Sequence, residues 1–153
     1  VSSCPTQELA LTNCVFLSQA DHVVYFDGDA YGYVELCHLI FTALPHGKVE
    51  QGFLALNSIQ RRGTGVSNGD TVEMAIFNPS AEFVGLSECT YEVDYVVKTR
   101  ARGPEPVDAV KFAEAIAARF PRQFFSIGQT VAIEFCGDNF LLRVSKLQVG
   151  CLC

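Results

Sequence analysis

The first eighty residues never hold one pattern for long. Stretches rich in β-branched, aromatic and aliphatic side chains occur at 14–17, 23–26, 31–41, 54–56 and 71–77, and turn-forming residues break the chain between them. The breaks include Asp27-Gly28-Asp29, Pro45-His46-Gly47 and Asn78-Pro79-Ser80. Short β-rich runs punctuated in this way leave no room for a long helix and predict five or six short strands closing into a barrel. The stretch 54–73 is the centre of the pattern. Leu54, Ala55 and Leu56 read as the buried end of a strand, and Asn57 and Ser58 carry short polar side chains suited to capping a helical turn. Ile59 is expected to anchor that turn inward. Arg61 and Arg62 then surface together, before Gly63, Gly65 and Gly69 free the backbone for a strand beginning at Thr71. Two arginines presented on a turn are either a recognition feature or a solvated corner.

A chain of 153 residues forms one ordinary domain or two small ones, and at this length roughly 68 to 70% of the unfolded surface is buried on folding. A second unit is expected from about residue 84. In its strand at 89–97, Tyr91, Val93, Tyr95 and Val97 alternate with Glu92 and Asp94, which gives one buried and one wet face. Lys98, Thr99, Arg100 and Arg102 follow at the strand end. Gly103-Pro104-Glu105-Pro106 breaks the backbone, and Val110, Ala113, Ala117 and Phe120 recur at helical spacing until Pro121 stops the helix. A strand at 130–135, a hairpin signal at Gly137-Asp138-Asn139 and a strand at 140–144 complete an α+β unit. The connector near 78–82 is short and not Gly/Ser-rich, which predicts a fixed pairing of the units with a groove between them. The pattern Ser-x-Gly-[Asp/Gln]-Thr-Val occurs at 67–72 and again at 126–131, a turn into a strand used twice rather than a duplicated domain.

Several function classes are disfavoured. With 49% hydrophobic and 18% charged residues, the chain has the composition of a packed domain rather than of a disordered one. The apolar stretch 36–44 is interrupted by His38 and Thr42 and is about half the length needed to cross a bilayer. No secretory leader is visible. Seven cysteines at irregular positions fit a reducing, cytoplasmic compartment. The three histidines have no zinc-ligand spacing, and a net charge of −6 argues against general nucleic-acid binding. Gly47-Lys48 lacks the earlier Gly and the following Ser or Thr of a phosphate loop, so no nucleotide is expected to bind here. Asp27 and Asp29 are either a paired-carboxylate site or an Asp-Gly hairpin turn. Cys14 and Cys37 are expected to be inert cysteines in apolar strands.

The opening Cys4-Pro5-Thr6-Gln7-Glu8-Leu9-Ala10-Leu11-Thr12-Asn13-Cys14, the turn Gln60-Arg61-Arg62, the run Glu92-Val93-Asp94-Tyr95 and the run Phe125-Ser126-Ile127-Gly128-Gln129 are together similar to the N-terminal domain of the N-ethylmaleimide-sensitive factor family. These are cytosolic AAA+ ATPases that take apart SNARE complexes. The resemblance covers nearly the whole chain. It implies a mainly β, α+β fold: a double-psi β-barrel over 1–80 followed by a smaller α/β subdomain over 84–153. It also implies a longer parent chain whose ATPase domains, absent from this sequence, hold ATP and Mg and assemble a homo-hexamer, with no cofactor in the part described here. The partner implied is the soluble attachment protein adaptor and, through it, the SNARE complex, with the protein peripheral to membranes and not inserted in them. Carried over by position, the family's adaptor-binding cations fall on Arg61 and Arg62 and on Lys98, with Arg100 compensating for Thr99, where relatives can have a second lysine. Ser3 stands where some relatives have a further cation. The alternative is the cofactor-binding N-domain of a valosin-containing-protein-like ATPase in ubiquitin pathways, against which the Cys-Pro-Thr opening argues.

Overall fold

The computed structural model describes residues 1–80, 85–96 and 107–150. They form a mainly β chain with a few helices and two separate sheets. The first is a mixed six-stranded sheet made of β1 (Ser2–Ser3), β2 (Cys14–Leu17), β3 (Gly32–Leu36), β4 (Leu39–Pro45), β5 (Leu54–Leu56) and β6 (Ala75–Ile76), in the order β1-β5-β2-β4-β3-β6. β2 runs parallel to β4, with Cys14 opposite Thr42, and antiparallel to β5, with Phe16 opposite Ala55. Every residue of β2 and of β5 is buried. The period-2 geometry of a strand explains why. Val15, Leu17, Leu54 and Leu56 enter one apolar cluster with Val34, Leu36 and Phe41, while Cys14, Phe16 and Ala55 enter another with Val49. A continuous apolar run is what a strand covered on both faces requires.

Two helices join these strands, and one corrects the expectation of a strand at 23–26. Residues Gln19–Phe26 form α1. Val23, Val24, Tyr25 and Phe26 favour strands, but Ser18 caps the helix by accepting from Asp21 N at 3.0 Å, and its hydroxyl donates to the Asp21 carboxylate at 2.8 Å. The cap decides the local structure. His22 and Phe26, four residues apart, then face inward, while Val23 and Val24 are left exposed. Gly32 is dictated by this packing, because a Cβ there would lie 2.1 Å from the Phe26 ring. Asp27 takes φ +51° as the C-cap of α1 and Gly28 φ +84° beyond it, so Asp27-Gly28-Asp29 is a helix end rather than a hairpin turn. The expected long strand at 31–41 is likewise two strands, β3 and β4, joined through Cys37 and His38 at φ +49° and +67°. Cys37 is therefore exposed at a turn and not in a core. Of the expected strand at 71–77, only the two residues of β6 pair.

The second sheet contains β7 (Leu86–Tyr95), β8 (Thr130–Phe135) and β9 (Asp138–Val149) in the order β7-β9-β8, all antiparallel. Helix α3 (Ala109–Arg119) covers it. Asp108 caps α3 by accepting from Val110 N and Lys111 N. Phe112 and Phe120 pack with Val131, Ile133, Phe140 and Leu142. Of the four residues expected on the buried face of the strand at 89–97, Tyr91 and Tyr95 pack on this core, Val93 is 52% exposed, and Val97 lies outside the described residues. The β8–β9 turn is Cys136-Gly137, both at positive φ, which gives a two-residue connection one position earlier than expected.

Candidate docking surface and the junction of the two sheets

Arg61 and Arg62 lie on a helix, α2 (Ser58–Thr64), fixed at both ends. At its start, Asn57 Oδ1 accepts from Gln60 N at 2.8 Å and Gln60 Oε1 accepts from Asn57 N at 2.9 Å, a reciprocal capping box. At its end Gly65 adopts φ +72° and its N–H returns to Arg61 O. The residue turned inward is Gln60 rather than Ile59. It is 2% exposed, and its Nε2 donates to Cys14 O at 3.0 Å. A buried amide with both its groups satisfied fixes the rotation of the helix. The two arginines are consequently unequal. Arg61 is half-buried, and its Nη1 donates to Leu56 O. Arg62 is exposed, and among the described residues neither arginine forms an ion pair.

Leu56 O also accepts from Cys4 N at 3.0 Å, so the opening segment and the arginine helix meet at one carbonyl. The Cys4 thiol is held above its ordinary value chiefly by burial, opposed by its bond to Thr6 O and by the Arg61 charge. The Cys14 thiol is also raised by burial. Neither is favoured as a thiolate. Ser3 is exposed, and its hydroxyl accepts from Asn68 Nδ2 at 2.8 Å. Lys98, Thr99 and Arg100 lie outside the described residues. Gly47 and Lys48 sit in the turn that follows β4, where Lys48 N donates to His46 Nδ1. No helix N-terminus follows them directly, the feature by which a phosphate loop cradles its ligand.

A second polar cluster, which sequence reasoning missed, joins the two sheets. Asn13 Nδ2 donates to Gln123 Oε1 at 2.9 Å, Gln123 Nε2 donates to Thr12 O at 2.9 Å, and Gln129 Nε2 donates to Asn13 Oδ1 at 3.5 Å. Arg119 Nε reaches Leu11 O at 3.3 Å, and Tyr33 OH donates to Arg122 O at 3.0 Å. Phe124 stacks edge-on against Tyr33 and Phe77. Beside this junction lies a cavity of about 280 Å³ whose wall includes Arg119 and Arg122. Among the described residues no group of three or more His, Cys, Asp or Glu could hold a metal, and no helix is long and apolar enough to cross a membrane.

The class these observations define is a β-rich α+β module of two sheets that presents an arginine pair, Arg62 exposed and Arg61 half-buried, on a helix capped at both ends. No protein-family model matches the chain. It is 30% identical over 151 residues to a vesicle-fusing ATPase of Arabidopsis thaliana, a match covering 97% of this chain and 20% of that protein. It is 26% identical over 111 residues to a vesicle-fusing ATPase of Dictyostelium discoideum, covering 72% of this chain and 14% of that protein. The chain belongs with the N-terminal domains of the vesicle-fusing ATPases, the family indicated by its opening and arginine segments. It spans about a fifth or less of the length of these curated relatives.

Proposed function

We propose that this chain is the adaptor-docking domain of a SNARE-disassembling AAA+ ATPase, binding the acidic end of a soluble attachment protein and thereby the SNARE complex. The observation that carries the proposal is the placement of Arg62, with Arg61 behind it, on a capped helix beside the Cys4 opening. A chain of net charge −6 presents these cations without a carboxylate partner among the described residues. Lys98 and Arg100 supply the second patch in this proposal. The six-stranded mixed sheet forms the double-psi barrel, and the smaller unit follows it. ATP and Mg are held by ATPase domains beyond this chain, which also form the hexamer, and the protein is cytoplasmic and reaches membranes only through its partners.

Exposed ion pairs are each worth ~0.2 to 1 kcal/mol, so one domain binds weakly and several domains on one oligomer bind usefully. Calorimetry against the adaptor at low salt tests the reading. Arg62→Glu is the cleaner variant, because Arg61 also braces Leu56 O. Arg62→Glu is expected to weaken binding at least fivefold with an unchanged melting temperature, an effect that shrinks as salt rises. Lys111→Glu, at an exposed side chain of α3, serves as the control. Parent-like binding by Arg62→Glu and by the double reversal with Arg61→Glu overturns the role of this helix. Capture of ubiquitin-pathway cofactors instead of the adaptor turns the assignment to the valosin-containing-protein-like alternative.

A further inference from the structure

The junction cavity has an unusual wall for so acidic a chain. Arg119 and Arg122 both line it, no carboxylate does, and neither arginine forms an ion pair among the described residues. Arg119 spends only its Nε on Leu11 O, which leaves the rest of the fork free. The charges act on the surrounding groups: that of Arg119 is felt at the Cys14 thiol and that of Arg122 at the Tyr33 hydroxyl. Thr42, also in the wall, has a hydroxyl shielded from solvent and without a hydrogen-bond partner. It is the sole such side-chain atom among the described residues. Leaving a hydroxyl unpaired costs roughly 1 to 3 kcal/mol, and its shielding keeps it from a ligand in the cavity as it does from water. Arg122 is held at φ +56°, where glycine is at ease and other residues are not. Tyr31, Leu44 and Pro121 give the rest of the wall an apolar character.

We propose that this cavity binds a carboxylate carried on a small apolar body, with the two guanidinium groups holding the head and Tyr31, Leu44 and Pro121 holding the body. A volume of about 280 Å³ lies at the lower edge of the ~300 to 1,000 Å³ of small-molecule sites, so the ligand is one aromatic or aliphatic acid, free or as the last residue of a peptide. Neither Arg61 nor Arg62 lines the cavity, so its occupancy does not depend on adaptor docking.

Phenylacetate represents the free acid, N-acetylphenylalanine a peptide terminus, and inorganic phosphate an anion without an apolar body. Each is titrated into the 153-residue chain while the Gln123 side-chain amide and the Arg119 and Arg122 Nε–H resonances are followed. Saturable shifts with both organic acids, at least tenfold tighter than with phosphate, are expected, and the tighter of the two identifies the source. Arg122→Gly is the decisive variant: the backbone there suits glycine, so the melting temperature is maintained or rises while affinity falls at least tenfold. Thr42→Val removes the shielded, unpaired hydroxyl and is expected to leave binding unchanged without destabilising the free chain. Arg62→Gln leaves phenylacetate binding unchanged, which separates this site from the docking helix. Absence of saturable shifts, phosphate binding as tightly as the organic acids, or unchanged affinity in Arg122→Gly overturns the proposal.

Discussion

At 67–72 and again at 126–131 the chain makes the same turn. Asp70 N donates to Ser67 O at 3.2 Å in the first, and Gln129 N donates to Ser126 O at 3.0 Å in the second. In each, the side chain at the fourth position reaches back to the serine N–H: Asp70 Oδ2 to Ser67 N at 2.7 Å, Gln129 Oε1 to Ser126 N at 2.9 Å. The glycines between them sit at φ +89° and +87°. Locally the two turns are equivalent, but their surroundings differ. Asp70 is exposed, whereas Gln129 is 1% exposed, and its amide hydrogens face Asn13 across the junction of the sheets. A carboxylate offers only acceptors, while an amide accepts in the turn and donates beyond it. A shared turn motif fixes backbone geometry only. The added donor makes one copy part of the contact between the sheets.

The greatest loss of stability is expected when the buried turn is given the residue of the exposed one. Gln129→Asp places a charge where burial is almost complete, removes the donor to Asn13, and is expected to cost about 3 to 5 kcal/mol near neutral pH. Because burial raises the folded-state pKa of that new carboxyl, the loss grows as pH rises above its unfolded value of ~3.9 and shrinks toward acid. Denaturant unfolding at several pH values measures both. A loss under 1 kcal/mol would mean that the junction does not depend on this amide.

The glycines test the backbone of the two turns. With positive φ at both positions and no neighbouring atom within 4 Å of an added Cβ, Gly69→Ala and Gly128→Ala carry the same backbone penalty of about 1 to 2 kcal/mol. Equal shifts in unfolding midpoint support locally equivalent turns. A markedly larger loss at Gly128 would show that the backbone there, and not only the Gln129 side chain, is under tertiary constraint.

How much of this was legible follows the same division between local and tertiary causes. Helix α3 and the β8–β9 hairpin could be read because apolar spacing, Asp108, Pro121 and Gly137 all carry local signals. Helix α1 was misread as a strand because Val23-Val24 outweighed the Ser18 and Asp21 cap, which was present in the sequence as a Ser-x-x-Asp start. The turn at Cys37-His38 has no such signal, since it uses two non-glycine residues at positive φ. Arg61 and Arg62 were legible as surface-facing cations, but their inequality was not, because it depends on Gln60 reaching Cys14 O. Asn13, Gln123 and Gln129 read as ordinary polar residues until residues more than a hundred positions apart are brought together. Arg119 carries no sequence signal beyond that of a cation in the last turn of a helix, and nothing in its sequence neighbourhood places it beside a cavity.

The smallest effect is expected at the exposed turn, where the comparison can be run in reverse. Asp70→Gln retains a side-chain acceptor for the Ser67 N–H and meets no buried surface, so its stability should stay within about 0.5 kcal/mol of the parent. Asp70→Ala removes the acceptor. Its cost is about 0.5 to 1 kcal/mol and not more, because the Ser67 N–H is exposed and water replaces much of the lost bond. The pair is informative because acceptance in the turn is the single function common to Asp70 and Gln129. If both substitutions cost the same, the back-bond to serine contributes nothing measurable at 67–72, and the backbone bond between Asp70 N and Ser67 O suffices to hold the turn. If Asp70→Gln matches the parent while Asp70→Ala does not, acceptance alone sustains the exposed copy, and the additional cost at Gln129 is attributable to its burial and to Asn13.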